Sequence, residues 1–281
     1  MVKWFLPHLF LFHLFSTCNG SPSLSARDFS GSDGSAVQFF YESQEGTVEG
    51  FLTRPLRDGR FPLMVLLHGH NWARAGAQQV VPIAEQFSRE LCYASLAISL
   101  PGYGSTQVPG SDTDGNVIAQ VVLDGIAKAA ELPWVDGRKI MLYGLSRGAS
   151  FAAIVAGRIP DLQSVVLHSG AYDLTRLYHN TPNLWLRRLM NPNGKAAPAL
   201  FNVLADTRNW TAPALILHGG RDDVIPPTQA ALLRDRLAAL GKPHRFVIFP
   251  DADHRLPPTG VKGEVVAFLE KHVGSGCLSD P

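Results

Sequence analysis

Six short apolar runs recur along this chain: Pro62–Leu67, Tyr93–Leu100, Ile140–Tyr143, Ser164–His168, Ala214–His218 and Arg245–Pro250. Each is nearly continuous rather than alternating. A strand that is apolar on both faces must be covered on both, and a parallel sheet flanked by helices satisfies that need. Between the runs lie segments with helical spacing of apolar residues: Gln79–Glu90, Val117–Glu131, Arg147–Ile159, Pro227–Leu240 and Val261–His272. Strand–helix alternation at this spacing predicts an α/β fold, a doubly wound and mostly parallel sheet. Ahead of it, Val37–Tyr41 and Thr47–Thr53 flank the polar stretch Ser43–Gly46 and predict an antiparallel hairpin. Asp173–Trp210 is irregular, with a short helical patch near Asn183–Met190. Such an insertion lies over the carboxyl ends of the strands, where ligands bind, so residues 173–210 are a candidate cap. The plainer reading of the same segment is a surface excursion.

The chain has 281 residues, 46% hydrophobic and 17% charged. That balance excludes general disorder. A length of this size suggests about two domains as a prior, yet no second core or internal repeat is visible, and residues 37–281 read as one domain. The net charge of +1 provides no long-range field for nucleic acid. Residues 1–20 have the order of a secretory signal: Lys3, an apolar run Trp4–Phe15, then small or polar residues to Gly20. That run falls short of the ~20 residues that span a bilayer, so an uncleaved anchor is the lesser reading. Cys18 opens a further one, attachment of a lipid. Ser21–Ala36 is rich in Ser and Gly and reads as a flexible spacer. The expected location is therefore exported, secreted or periplasmic, with no integral membrane span.

The most specific local signal is Gly144-Leu145-Ser146-Arg147-Gly148. It follows an expected strand and opens an expected helix, the context in which G-x-S-x-G forms a nucleophile elbow. Glycine two before and two after the serine makes room for so tight a turn. The turn lifts the Ser146 hydroxyl to the sheet edge and aims the Arg147 amide, at a helix N-terminus, at a developing oxyanion. The competing reading is an ordinary turn whose serine caps a helix. Serine needs a base that is itself oriented by an acid. After Ala214–His218 comes Gly219-Gly220-Arg221-Asp222-Asp223, and after the last strand Asp251-Ala252-Asp253-His254. Ser146, then an Asp, then His254 is the chain order of α/β hydrolases. On position alone Asp222, Asp223 and, further back, Asp173 remain open as the acid.

Five motifs together resemble the α/β-hydrolase superfamily, and the prolyl oligopeptidase and dienelactone hydrolase branch of it. They are His68-Gly69-His70, Pro101-Gly102-Tyr103-Gly104-Ser105, the elbow, His218-Gly219-Gly220-Arg221-Asp222 with Val224-Ile225-Pro226, and Asp253-His254. The likeness runs from Val37 to Val273. It implies an α/β-hydrolase fold with Ser146 as nucleophile, His254 as general base and then acid, and Asp222 as the acid that orients it. It also implies an oxyanion hole completed by the His70 amide beside that of Arg147, with Asn71 as the alternative donor. The elbow departs from the branch in reading Gly-Ala after Arg147, where Gly-Gly is frequent. No propeller-like segment precedes the catalytic residues in this sequence, which turns the expectation from peptides toward esters.

Several other residues invite roles. The His70 imidazole is a weaker candidate for the base, and His68 is expected beneath its loop. His168, His218 and His244 are expected to be structural or exposed. Trp72, Tyr103, Tyr172 and Trp185 fall near the expected mouth and either line a pocket or pack. No spacing fits a metal site and no glycine-rich phosphate loop is present, so no metal or other cofactor is expected. There are three cysteines. In the fold that the resemblance implies, the first and last large helices cover the same face, which brings Cys92 toward Cys277. A disulfide there suits an exported protein. The expected function is an exported serine hydrolase that cleaves small carboxylic esters through an acyl-enzyme. The alternatives are a peptidase or amidase, and a non-catalytic binding protein of the same fold.

Overall fold

A computed structural model describes residues 34–109, 113–194, 203–274 and 277. The expected signal peptide, Cys18 and the spacer up to residue 33 lie outside the described residues. At its far end the expected spacer is tied down, because the Ala36 amide donates to Glu85 Oε1 at 3.1 Å.

Eight strands form one sheet: β1 (Val37–Ser43), β2 (Gly46–Thr53), β3 (Phe61–Leu67), β4 (Ala94–Ile98), β5 (Val135–Leu145), β6 (Ser164–His168), β7 (Ala214–Gly219) and β8 (His244–Phe249). Their order is β1-β2-β4-β3-β5-β6-β7-β8. β1 and β2 pair antiparallel through the expected hairpin, with Ser43 opposite Gly46, and β2 runs antiparallel to β4. The pairs from β4 to β8 are parallel. Along β3, Leu63, Val65 and Leu67 enter one apolar cluster while Met64 and Leu66 enter another. β7 divides in the same way, Ala214 and Ile216 from Leu215 and Leu217. The continuous runs are therefore two interleaved faces, each buried under helices.

One face carries α2 (Gly115–Ala130), α3 (Arg147–Ala156) and α7 (Thr228–Ala239); the other carries α1 (Val81–Leu91) and α8 (Pro258–His272). α1 starts later than its apolar spacing suggests. A 3-10 turn covers Ala77–Gln79, and Pro82, which lacks an amide proton, sits where the first α turn needs none. α3 ends at Ala156 with Gly157 as its cap, short of Ile159. β5 begins earlier than Ile140. Val135 and Asp136 pair with Phe61 and Pro62, and a register shift then excludes the exposed Arg138 and Lys139, whose charges hid the strand. β8 is an edge strand and only half-buried, unlike the inner strands. Among its described residues the region of the expected cap holds three α-helices rather than one, α4 (Leu174–Asn180), α5 (Leu184–Met190) and the short α6 (Val203–Asp206).

Between the end of α1 and the start of β4, Cys92 forms a disulfide with Cys277, their Cα atoms 5.0 Å apart. Cys92 is the left-handed cap of α1, and the neighbouring Tyr93 hydroxyl donates to the Gly274 carbonyl at 2.5 Å. No helix among the described residues is long and apolar enough to cross a membrane.

Candidate active site

Ser146 stands at the junction of β5 and α3 with φ 53° and ψ −115°. A non-glycine residue rarely holds such angles, and the strain is of order 1–3 kcal/mol. The turn is held by its surroundings. The Ser146 amide donates to the His168 carbonyl at 2.7 Å, and the Ala149 amide closes onto the Ser146 carbonyl at 2.9 Å. The flanking glycines answer a close approach. A Cβ on Gly144 would lie 2.4 Å from Ala149 Cα, and one on Gly148 would lie 2.1 Å from the Leu67 carbonyl oxygen.

The loops after β3, β7 and β8 converge on this hydroxyl. His254 Nε2 lies 2.9 Å from Ser146 Oγ, and its Nδ1 lies 2.8 Å from Asp222 Oδ2. Asp222 is buried, and its other oxygen accepts the amides of Val224 at 3.0 Å and Ile225 at 2.8 Å. Burial alone would raise the carboxyl's pKa. Hydrogen bonds from His218 and His254 and the Ile225 amide overcome burial and hold it well below the usual carboxylate range. Asp223 is exposed at the cavity rim, and Asp173 caps α4 by accepting the Arg176 amide at 2.9 Å. Of the three carboxylates left open by sequence position, it is Asp222 that the fold brings to His254.

The loop after β3 lies against the serine. A Cβ on Gly69 would be 3.3 Å from Ser146 Cβ, and His70 lines the same cavity as Ser146 and Arg147. This loop is clamped from below. Gln79 Nε2 donates to the carbonyls of Gly69 at 3.1 Å and Ala75 at 3.0 Å. His68 is fully buried, accepts the Leu100 amide on Nε2 at 3.0 Å and therefore donates from Nδ1 to the Gly69 carbonyl at 2.7 Å. Burial chiefly, with the nearby Arg147 charge, lowers its pKa to about 4, so the ring is neutral near pH 7. The His70 Nδ1 meets the Tyr103 hydroxyl at 2.5 Å. It is His254, rather than His70, that hydrogen-bonds the Ser146 hydroxyl.

A cavity of about 420 Å³ opens above Ser146 and His254. Its far wall is apolar, with Leu174 and Leu177 from α4, Leu186, Leu189 and Met190 from α5, and Ile225. The four aromatic residues expected at the mouth divide into pairs. Trp72 and Trp185 line the cavity, with ring centroids 5.0 Å apart, and Trp72 is 76% exposed. Tyr103 and Tyr172 are buried instead and support the site from within. His168 is buried beneath the elbow with Nδ1 3.0 Å from the Tyr143 hydroxyl, while His244 begins the edge strand β8 with Nδ1 2.9 Å from the Lys242 carbonyl.

Two supporting residues escaped sequence reading. Glu49 on β2 is buried and accepts Ser99 Oγ at 2.6 Å and the Ser105 amide at 3.1 Å, fixing the Pro101–Ser105 turn under His70. Gln229 on α7 accepts the amides of Tyr172 and Asp173 at 2.9 and 2.8 Å and so sets the entry to α4. A lone Glu on a strand otherwise apolar inward was the available signal for the first; nothing in the spacing marked the second.

Comparison with known proteins agrees with this architecture. Residues 109–275, more than half of the chain, match the model of the prolyl oligopeptidase family. The chain is 27% identical over 169 residues to a dipeptidyl-peptidase 5 of Porphyromonas gingivalis, covering 55% of this chain and 24% of that protein. It is 21% identical over 238 residues to an acetyl esterase of Xylanibacter ruminicola, covering 74% of this chain and 52% of that protein. The chain thus spans about a quarter and about half of these two relatives. Among solved structures it is similar in fold to an acylaminoacyl peptidase of Pyrococcus horikoshii, with a TM-score of 0.69, 18% identity, and 85% of this chain and 42% of that chain covered. With a G-x-S-x-G elbow on a mostly parallel eight-stranded sheet, and a family match over more than half its length, the chain belongs to the prolyl oligopeptidase family and has the α/β-hydrolase fold.

Proposed function

We propose that Ser146, His254 and Asp222 are the catalytic triad of an exported enzyme that hydrolyses carboxylic esters. The observation that carries this reading is the unbroken hydrogen-bonded line from Ser146 Oγ through His254 to Asp222, 2.9 and 2.8 Å, at the base of a largely apolar cavity. His254 Nε2 takes the Ser146 proton as Oγ attacks the ester carbonyl. The oxygen that becomes negative is held by the backbone amides of Arg147 and His70, the first at the start of α3. Collapse breaks the bond to the alcohol oxygen, and His254 returns its proton to that leaving group. Water then attacks the acyl-enzyme, giving His254 a proton that is passed back to Ser146 as the acid departs. Asp222 holds the imidazole by Nδ1–H and balances its charge while it is protonated.

The cavity supports esters over peptides through its lining. Beyond the triad its polar lining comprises His70, Thr113, Arg147 and Ser150 together with Asp223, Asp253 and Arg255, whereas the wall under α4 and α5 is aliphatic. Such a wall desolvates an acyl or alkyl group and offers little to a peptide backbone, whose polar groups cost free energy if buried unpaired. The acetyl esterase relative, matched over 74% of this chain, agrees with this reading, and the dipeptidyl-peptidase relative keeps peptide cleavage as the second one. Residues 37–281 act as one catalytic unit with α4 and α5 as its cap, after a signal peptide of residues 1–20 and a spacer. The Cys92–Cys277 disulfide supports export, since such bonds persist in oxidising compartments. A panel of p-nitrophenyl esters of rising chain length, beside matched anilides and short peptides, tests the substrate class. Esters are expected to give the highest kcat/KM. A peptide that exceeds every ester would overturn the ester reading.

A further inference from the structure

His218 is the fifth residue of β7 and is fully buried, with a ring that determines its own tautomer. Nε2 lies 2.8 Å from the Ile225 carbonyl and 3.2 Å from Asp222 Oδ2. Both are acceptors, so Nε2 carries the proton. Nδ1 is buried with no hydrogen-bond partner among the described residues. A proton on Nδ1 would be a buried N–H without an acceptor, so the ring donates through Nε2.

The receiving oxygen is the one that faces His254. Asp222 Oδ1 is occupied by the amides of Val224 and Ile225, and Oδ2 takes His254 at 2.8 Å. The single Nε2–H of His218 bonds the Ile225 carbonyl at 2.8 Å and, as its weaker branch, leans toward Asp222 Oδ2 at 3.2 Å. Ile225 is shared, giving its amide to Asp222 and its carbonyl to His218. The ring, the turn and the carboxylate are thus locked to one another, and Asp222 cannot rotate without stranding donors.

We propose that His218 is a positioning residue of this hydrolase, whose Nε2–H fixes Asp222 Oδ2 against His254 and shares its negative charge. The proposal rests on the triad reading above. The low carboxyl pKa of Asp222 against its burial agrees with it. The titratable groups that face His218 are Asp222, His254 from the loop after β8, and His168 from β6. Burial chiefly, then the neighbouring His254 and His218, lowers the His168 pKa to about 4, so His168 brings no charge toward Asp222 near pH 7.

The test compares His218→Leu, which removes the donor, with His218→Gln, whose amide reaches the Nε2 position. For one ester, kcat, KM, the pH profile of kcat/KM and the thermal midpoint are measured. His218→Leu is expected to lower kcat about ten- to hundredfold, the scale of one hydrogen bond to a charged group, with KM within about twofold. Its acidic limb moves to higher pH, because a carboxylate no longer shared with His218 holds the His254 proton more tightly. His218→Gln recovers most of kcat and the wild-type profile. Should the leucine variant not fold, His218→Asn, too short to reach Asp222, takes its place with the same expected loss. Equal impairment of the glutamine and leucine variants, or a leucine variant with wild-type kcat and profile, would overturn the proposal while fluorophosphonate still labels wild-type Ser146. Failure of the wild type to label overturns the triad reading and this proposal with it.

Discussion

The floor and the roof of the cavity are held in different ways. Each floor residue reaches a partner distant in sequence: Ser146 is tied to β6 through His168, Asp222 to His254, and the Pro101–Ser105 turn to Glu49 on β2. The roof consists of two helices of seven residues each, capped locally by Asp173 and Asn183. Their inner faces form a small cluster, including Leu174, Leu177, Leu186, Met190 and Ile225, apart from the two cores on the sheet. A floor pinned by long-range hydrogen bonds suits chemistry that tolerates little displacement. A roof resting on a few aliphatic contacts suits selection among substrates.

The strongest way to break this division is to alter the floor. Asp222→Asn keeps the shape but cannot balance an imidazolium, and kcat is expected to fall by about 10⁴-fold with little change in KM. Asp223→Asn, one residue along and exposed, is expected to leave kcat within about threefold. Equal losses in the two variants would contradict the assignment. Gly148→Val probes the same region structurally. Its Cβ would press on the Leu67 carbonyl oxygen at 2.1 Å, so folded, probe-reactive enzyme is expected to be lost, as measured by yield and thermal melting.

The roof should respond more mildly. Leu177→Ala enlarges the aliphatic wall and is expected to shift the preferred acyl length by one or more carbons, changing relative kcat/KM about tenfold. Activity on the shortest ester stays within about threefold, in keeping with a roof that selects but takes no part in bond breaking. A uniform loss across all chain lengths would mean that roof and floor are not separable.

Much of the floor was legible in sequence because it is written in short motifs. Gly144 and Gly148 announce the elbow through sterics, and Asp253-His254 lies directly after the last strand. The choice of Asp222 over Asp223 was not decided by spacing. The resemblance favoured Asp222, and in the structure Asp222 takes the Val224 and Ile225 amides and His254 while its neighbour is exposed. The roof was less legible. α4, at seven residues, is too short for apolar periodicity to stand out, and its position depends on Gln229 from a helix far along the chain. Glu49 was hidden for the same reason, since its meaning is a contact across the fold rather than a pattern along it.

The disulfide is a third region, remote from both. Cys92→Ser with Cys277→Ser opens a loop of 185 residues in sequence separation and is expected to destabilise the fold by up to about 5 kcal/mol, lowering Tm while kcat holds. A fall in kcat at temperatures where the variant is folded would mean that this region communicates with the floor. The smallest effect lies in acid. His68 and His168 have folded pKa values lowered to about 4, below the ~6.5 of unfolded histidine. Their contribution is intact above pH 6.5 and is lost as pH falls toward 4, because the unfolded chain then binds more protons. Tm is expected to decline across that window, and His168→Gln to make the decline shallower. A Tm that is flat from pH 6.5 to 4 would contradict the buried neutral state of both rings.

The division of floor from roof stands on Ser146 being the reactive atom. Treating the wild type and Ser146→Ala with a small fluorophosphonate, followed by peptide mass mapping, examines that directly. One adduct per chain on the peptide holding Ser146 is expected in the wild type, and none in the variant. An adduct on another residue, or a wild type that remains unlabelled while hydrolysing esters, would contradict it.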